Sequence, residues 1–454
     1  MKRLSLILVI LILALALALS SCSDPVCQHR DADDDSLCDK CGEEYTDGKD
    51  VDLEGFEFTL KSDGTYEVSD YEGDASSVTV PARYNGKAVS SIAGWSFAWC
   101  KELTEISIPS SVTEIGKWAF SYSGALVSIK VDPENPSYKD IDGNLYTKDG
   151  TTLLKYAPGK TETTFTTPSG LLIIESQAAE NCNNLVSVVI SEGVTDIKYN
   201  AFADCTSLES VEISKSVTSI SNDTFAGCTS LTSISVDPAN TQYNDIDGDL
   251  YRRSGKELIQ YAVGKTATSF TVPDSVTNIE WYAFNNCESL TEIIIGKNVE
   301  NIGTSAFSSC SSLVNIKIAP ENPSYKDIDG NLYTKDGATL IKYASGKTET
   351  SFTTPIGVTE VGNWSFEESM NLTSVVISDG VERIGLWAFR ACENVTSIDI
   401  PNSMTLLDDN SLYGCTSLKS INYQGTEEEW NALTKGDSWD SDCGEYTVNY
   451  NYKG

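Results

Sequence analysis

Apolar positions recur along this chain in one pattern with a period of 23 residues. The consensus of the unit reads Val-x-x-Ile-x-x-x-Ala-Phe-x-x-Cys-x-x-Leu-x-x-Ile-x-Ile. A fixed period of this size is typical of a solenoid, because one unit cannot bury its own apolar face and neighbouring units must stack. The Phe position recurs ten times, at Phe97, Phe120, Ala179, Phe202, Phe225, Phe284, Phe307, Phe366, Phe389 and Leu412.

Each copy predicts short β elements joined by turns. Apolar residues nine and eleven positions after the Phe position, such as Ile106 and Ile108, predict a strand with one buried face. An upstream apolar pair, such as Val89 and Ile92, supplies further core positions. The Ala-Phe-x-x-Cys segment has the spacing of about one helical turn. We therefore expect ten stacked rungs whose strands pair in a parallel sheet.

Three insertions of 36 residues interrupt the repeat, at 132–167, 237–272 and 319–354. Each contains Asp-Ile-Asp-Gly, then Leu-Tyr, a turn and a second apolar run. In the first copy, Asp149-Gly150 separates two apolar runs, which is a strong hairpin signal. We predict that each insertion forms a β-hairpin that projects from the rod. The Asp-Ile-Asp-Gly run can bind calcium, although we favour a turn in which Asp and Gly supply the geometry.

A solenoid needs caps, because its end rungs otherwise expose core. Residues 51–88 read as short strands and are predicted to form the N-terminal β cap before the solenoid at 89–418. Residues 419–454 are predicted to close the other end, with a short helix over 427–430 and a strand over 447–452.

The first residues carry a targeting signal. Lys2 and Arg3 precede an apolar run, and Leu19-Ser-Ser-Cys22 resembles the lipobox of exported bacterial lipoproteins. We predict that 1–21 is a signal peptide, that cleavage precedes Cys22 and that its thiol is acylated. The alternatives are an ordinary signal peptide or a membrane anchor, although the run is short for a spanning helix.

Residues 22–50 form a polar leader with a candidate metal site. Cys27, His29, Cys38 and Cys41 supply four ligands within fifteen residues, a set that suits a tetrahedral structural zinc ion. One disulfide with a leftover thiol, or a disordered stalk, is the alternative. The run Asp31-x-Asp-x-Asp is also typical of a calcium loop, but that loop needs Gly and Glu where this leader differs.

The repeat strongly resembles the BspA-like leucine-rich repeat family of bacterial surface proteins, through runs such as Val381-Glu-Arg-Ile-Gly-Leu-Trp-Ala-Phe389. The resemblance covers roughly 51–454. It implies a leucine-rich repeat solenoid, right-handed and mostly β with short helical turns, of the α/β horseshoe-like class, with three inserted β-hairpins. It also implies adhesion to host, matrix or cell-surface proteins.

Charge and cysteine usage narrow the function. The net charge of −34 disfavours nucleic acid and anionic lipid, since both require a basic surface. No catalytic constellation is present, because the single histidine lies in the leader, and we expect no enzymatic activity and no required cofactor. Eight cysteines share one position of the repeat. We expect them to be reduced, buried thiols, with disulfides between rungs as the alternative. They are Cys100, Cys182, Cys205, Cys228, Cys287, Cys310, Cys392 and Cys415.

Two surface stripes are candidates for binding. The first lies ten residues after the Phe position and faces away from the core, with ordinary sheet surface as its alternative: Ser107, Lys130, Val189, Glu212, Ser235, Ile294, Lys317, Val376, Asp399 and Asn422. The second lies two residues before the Phe position, where aromatic rings can hold a sugar or a partner, or simply pack across the turn: Trp95, Trp118, Tyr282, Trp364 and Trp387.

The sequence thus predicts a non-enzymatic binding protein outside the cell, held at the bacterial surface by its lipid. The expected partner is an extracellular protein or glycan, and membrane contact is made only through the anchor. A carbohydrate-binding lipoprotein and a structural spacer are the two alternatives.

Overall fold

The computed structural model describes residues 53–453, which form a solenoid of stacked β rungs. One face carries strands of three or four residues that follow the repeated Leu and pair in parallel between rungs. Their bounds are Glu105–Ile108, Ser128–Val131, Ser187–Ile190, Ser210–Ile213, Ser233–Val236, Glu292–Ile295, Asn315–Ile318, Ser374–Val376, Ser397–Ile400 and Ser420–Tyr423. We call this surface the strand face.

The opposite face is narrower and is built from two-residue strands at the upstream apolar pair. Those strands also pair in parallel, as Asp196 does with Ser219. Their bounds are Glu114–Ile115, Ile173–Ile174, Asp196–Ile197, Ser219–Ile220, Asn278–Ile279, Asn301–Ile302, Glu360–Val361, Arg383–Ile384, Leu406–Leu407 and Thr434–Lys435.

The core between the faces is a column of phenylalanines in ring contact. Phe202 and Phe225 stack with centroids 5.9 Å apart, and Phe366 and Phe389 stack at 4.6 Å. The repeated leucines and isoleucines are also buried. Since each fully buried apolar side chain contributes about 1.5–3 kcal/mol, the column is a major source of stability.

The turn around the Phe position differs from the predicted helical turn. The residues two before and two after Phe97 have left-handed backbone, with φ of 68° at Trp95 and 58° at Trp99. The Phe97 N–H donates to the carbonyl of Ala119 in the next rung at 2.8 Å, and not to the carbonyl four residues earlier as in a helix. Stacking therefore replaces local helix, because pairing between rungs satisfies the same backbone groups.

The N-terminal segment covers the first rung with five strands. The first two strands pair antiparallel, and the second pairs in parallel with the last of the five. Tyr71 stacks on Phe97 at 5.2 Å and so continues the aromatic column to its end. The strands are Phe56–Leu60, Tyr66–Tyr71, Ser77–Thr79, Arg83–Tyr84 and Lys87–Ile92.

Each insertion contains the predicted β-hairpin, since two of its strands pair antiparallel around the predicted turn, but the prediction that the hairpin projects from the rod was wrong. Each forms three antiparallel strands, the third of which pairs in parallel with the following rung. Leu145, Tyr146 and Leu153 are buried, so the apolar runs pull the insertion into the core. A fourth strand of each insertion pairs in parallel with the next rung on the strand face. The four strands of each insertion are, in order, Tyr138–Ile141, Asn144–Thr147, Thr152–Lys155 and Thr164–Thr166; Tyr243–Ile246, Asp249–Arg252, Glu257–Gln260 and Ser269–Thr271; Tyr325–Ile328, Asn331–Thr334, Thr339–Lys342 and Ser351–Thr353.

Each insertion hides one further rung. Tyr156 stands 23 residues before Ala179. Its N–H donates to Ala178 O at 2.7 Å, which joins its turn to the turn of the next rung. Tyr261 and Tyr343 hold the same place and contact Phe284 and Phe366, each at 5.3 Å. The solenoid therefore continues through all three insertions with tyrosine in place of phenylalanine.

The insertion turn and a buried asparagine fix the new strands. Asp142 and Gly143 both have positive φ, 51° and 74°, which gives the two-residue hairpin turn that Asp-Gly favours. Asp140 accepts the N–H of Val131 at 2.9 Å. The fully buried Asn135 donates to two carbonyls and accepts two N–H groups, all within 2.9 Å. The same asparagine recurs at Asn240 and Asn322.

The C-terminal end contains the predicted helix, Glu427–Ala432, which begins with a capping box between Thr426 and Glu429. Its Trp430 packs against Tyr423 of the last long strand at 5.2 Å. The strand Thr447–Asn449 then pairs in parallel with that strand and closes the sheet. The helix and this strand therefore cover the last rung.

The repeated cysteines lie in the core as predicted, where most are fully buried thiols. The Cys205 thiol donates to the carbonyl of Ala179 in the preceding rung at 3.1 Å. Cys443, which the repeat pattern does not explain, makes the same bond to Leu412 O at 3.1 Å. It is therefore the cysteine of a final, irregular rung.

Candidate binding surfaces

The strand face places the predicted stripe in parallel ladders. Lys130 pairs with Ser107, and Asp399 lies between Val376 and Asn422. Every stripe residue is half-buried or exposed, while its strand neighbours are mostly buried. The insertions split this face into four separate sheets, so the stripe is not continuous along the rod.

Most charges on the strand face are paired within it. Lys130 bonds Glu105 at 2.7 Å, and Lys317 bonds Glu292 at 2.5 Å. Asn422 donates to Asp399 at 2.6 Å. Since these partners already satisfy one another, the stripe resembles an ordinary solvated sheet more than a surface built to hold a ligand.

The second stripe forms ring contacts in two separate places. Trp95 and Trp118 lie 5.2 Å apart and are both exposed. Trp364 and Trp387 stack at 5.5 Å but are half-buried, and Arg390 lies 5.7 Å over the Trp364 ring. Tyr282 is half-buried in a cleft at the second insertion. The structure thus separates an open group of rings near the N-terminus from a more enclosed one near the C-terminus.

Two exposed rings that the sequence reasoning missed complete the open group. Trp99 stacks on Trp95 at 5.3 Å, and Tyr122 stacks on Trp99 at 5.3 Å. The signal was present, because both residues stand two positions after a Phe on adjacent rungs. We call Trp95, Trp99, Trp118 and Tyr122 the aromatic cluster. Their exposed fractions run from 40% to 57%, which is high for stacked rings.

The backbone under the cluster is strained. All four residues have left-handed φ, between 58° and 68°. That conformation costs a non-glycine residue about 1–2 kcal/mol and is normally left to Gly, Asn or Asp. The same left-handed turn recurs in other rungs, at residues such as Gln177, Glu368 and Trp387, so it belongs to the repeat and does not by itself mark the cluster.

A cleft opens beside the cluster at the first insertion. Trp118, Tyr199, Gln177 and Lys155 are among the residues that line it. The cavity is about 340 Å³. Burial lowers the pKa of Lys155, whose ammonium donates to Gln177 O at 3.3 Å. The same burial raises the pKa of the nearby Glu180 carboxyl.

The lipid-attachment residue Cys22 and the candidate zinc ligands Cys27, His29, Cys38 and Cys41 lie outside the described residues. Within 53–453, no three His, Cys, Asp or Glu side chains stand close enough to hold a metal. The same part of the chain contains no helix long and apolar enough to cross a membrane.

Comparison with known families agrees with the repeat geometry. The family model described as BspA type leucine rich repeat region matches six copies, over 74–150, 158–254, 260–342 and 342–432. The chain belongs to the BspA type leucine-rich repeat family. This confirms the predicted resemblance and the solenoid fold class. Proteins with such repeats are typically non-enzymatic scaffolds.

Solved structures of other leucine-rich repeat proteins are similar to this BspA type chain. A leucine-rich cell surface protein from Faecalibacterium prausnitzii is 25% identical over 86% of this chain and 97% of its own, with a TM-score of 0.45. The pneumococcal vaccine antigen PcpA is 18% identical over 88% and 98%, with a TM-score of 0.45. A leucine-rich repeat protein from Bacteroides ovatus is 22% identical over 88% and 100%, with a TM-score of 0.34. No curated protein sequence matches this chain.

Proposed function

We propose that this chain is a non-enzymatic binding protein of the bacterial cell surface and that the aromatic cluster contacts an extracellular protein. The observation that carries the proposal is a group of four exposed aromatic rings in mutual contact. Trp and Tyr dominate the binding energy of protein interfaces, because they bury large areas with little loss of side-chain freedom. A protein partner therefore suits this surface better than it suits the internally paired strand face.

Charge adds a preference among protein partners. The chain carries a net charge of −34, so a partner with a basic surface is attracted and an acidic one is repelled. Long-range attraction of this kind raises the association rate and weakens with salt. We expect binding that slows as ionic strength rises but whose affinity depends mainly on the rings.

The position of the cluster on the rod also fits a surface role. In our proposal the acylated Cys22 holds the chain at the outer face of the membrane, and the polar leader separates it from the first rungs. The cluster lies on rungs one and two of the repeat, at Trp95 and Trp118. The remaining rungs then act as a rigid extension that carries the second group of rings outward.

A binding assay with matched variants tests the proposal. The full chain is titrated against immobilised fibronectin, fibrinogen, laminin and collagen at physiological salt. Trp95→Gly with Trp99→Gly removes two rings, and glycine keeps the left-handed backbone unstrained. Loss of two interface anchors predicts at least about 30-fold weaker binding, from 2 kcal/mol or more.

The control is Trp364→Gly with Trp387→Gly, which removes the enclosed pair of stacked rings, both at the repeat position that Trp95 occupies. This double variant should bind as the unmodified chain does. Saturable binding that both double variants retain would place the contact elsewhere. No saturable binding to any of the four proteins would favour the structural spacer.

A further inference from the structure

The cleft at the first insertion has a structural origin that the sequence pattern explains. The hidden rung is two residues shorter than its neighbour, since Leu153 to Phe165 spans 12 positions where the paired Ile174 to Val188 spans 14. The two missing residues belong to the turn around the Phe position. The turns of the preceding and following rungs are therefore separated by a notch.

The notch leaves a backbone donor unpaired. In regular rungs the N–H of the Phe position donates to the next turn, as Phe202 does to Thr224 O at 3.0 Å. Phe120 lines the notch, and no acceptor for its N–H is found within the described residues. The shortened rung supplies no turn carbonyl opposite it.

The side chains add both kinds of hydrogen-bonding group. Lys155 is only 7% exposed and uses one of its three N–H groups on Gln177 O. The Gln177 Oε1 atom is buried and has no partner in the described part of the chain. Glu175 lines the same cavity. An occupant that both donates and accepts hydrogen bonds would satisfy these groups, which are costly to leave unpaired.

Two aromatic rings flank those polar groups. Trp118 and Tyr199 line the cavity, and both are largely exposed. Ring faces carry partial negative charge and attract the C–H groups of a saturated ring. Rings beside mixed donors and acceptors match a polyhydroxylated ring, which has apolar C–H faces and a rim of hydroxyl groups.

We propose that this cleft binds one neutral hexopyranose ring of a glycan. Glu175 and Lys155 both line the cleft, so a ligand of either charge meets one group of its own sign and a neutral ligand is favoured. A purely apolar ligand would leave Lys155 and Gln177 unsatisfied. The volume of about 340 Å³ lies at the small end of ligand pockets, which suits one or two sugar units.

The other two insertions do not repeat the site. Asp223 and Ser305 replace Trp118 at the corresponding position. The cleft at the second insertion is about 410 Å³ and contains Trp281 and Tyr282, but no lysine lines it. Its Asn222 already donates to Glu280 at 2.9 Å. At the third, the cavity is only about 110 Å³, although Lys342 is buried as Lys155 is. Of the three clefts, the first is therefore the one that combines two exposed rings with a buried lysine.

The site goes beyond the proposed protein contact, and variants outside the aromatic cluster separate the two. The full chain is titrated with the methyl glycosides of glucose, galactose, mannose and N-acetylglucosamine, with saturation-transfer NMR as the readout. At least one should bind saturably. Tyr199→Ala should weaken that binding at least about fivefold through loss of the ring contact, and Lys155→Met should weaken it by removing donors.

Matched controls exist for each variant. Trp281→Ala changes an equally exposed aromatic at the same repeat position, and Lys342→Met changes the same buried lysine of the third insertion. Both should bind sugar normally, as should Trp95→Gly with Trp99→Gly. Absence of saturation transfer from all four glycosides, or binding unchanged by Tyr199→Ala and Lys155→Met, would overturn the proposal. Either result would leave protein binding by the cluster unaffected.

Discussion

The buried asparagine of each insertion should hold its strands in place, and Asn322→Ala tests this. Asn322 is fully buried, and its Nδ2 donates to Gly296 O at 2.8 Å and to Val299 O at 2.9 Å. Its Oδ1 accepts the N–H groups of Ser324 at 2.9 Å and Tyr325 at 2.8 Å. The alanine variant therefore leaves two carbonyls and two N–H groups without their partner.

The expected cost follows from those four groups. Each buried group left unpaired costs about 1–3 kcal/mol, and relaxation recovers part of this, so a local destabilisation of about 4 kcal/mol is expected. Solenoids open locally, so the effect should be read at individual amides. A loss of 4 kcal/mol corresponds to roughly 1,000-fold faster hydrogen exchange at Tyr325 and its strand.

Two further variants separate the hydrogen bonds from other effects. Asn322→Asp keeps the volume but turns the donor into an oxygen that faces two carbonyls, so it should accelerate exchange similarly. Asn298→Ala removes an exposed asparagine with one bond, to Asp274 O at 2.8 Å, and should cost less than about 1 kcal/mol. If Asn322→Ala accelerates exchange no more than Asn298→Ala does, the reasoning is refuted.

Two more predictions concern titratable groups. Burial raises the pKa of Glu180, so the folded chain favours the protonated carboxyl, and that stability is lost as pH rises through the raised pKa. Glu180→Gln should therefore raise the melting temperature at pH 7 but not below roughly pH 4. The control Glu367→Gln loses the 2.8 Å ion pair to Arg390 and should not raise the melting temperature. Burial raises the pKa of Cys392 to about 12, while a hydrogen bond from Cys415 lowers that of the half-buried Cys443. Iodoacetamide at pH 8 should therefore label Cys443 before the eight other cysteines of the described residues, as read by mass spectrometry, and equal labelling of these nine would contradict this.

The regular part of the fold could be predicted because its signal is repeated. Phe202 and Phe225 stand one period apart, and stacking is the arrangement in which both are buried. The rungs inside the insertions were not predicted, because Tyr156 replaces Phe and the turn is two residues shorter. Both the residue type and the spacing of the repeat therefore change at the same place. Burial of Leu145 and Leu153 decides that the insertion joins the core, and alternation alone does not show this.

The candidate sites were harder to predict, because they depend on contacts between rungs. The tryptophan positions indicated a stripe, but only the register shows that Trp99 and Tyr122 stack beside Trp95 and Trp118. The stripe residues of the strand face point away from the core, as their alternation in the sequence indicates. Its ion pairs, such as Lys317 with Glu292, reach sideways between rungs and cannot be read from one copy of the repeat.

Hydroxyl-radical footprinting of the full chain, free and saturated with a bound matrix protein, tests the central claim most directly. The account predicts that oxidation of Trp95, Trp99 and Tyr122 falls when the complex forms. Oxidation of Trp364 and Trp387 should stay unchanged. Protection confined to the strand face, around Val376 and Lys317, would contradict the claim that the aromatic cluster is the contact surface.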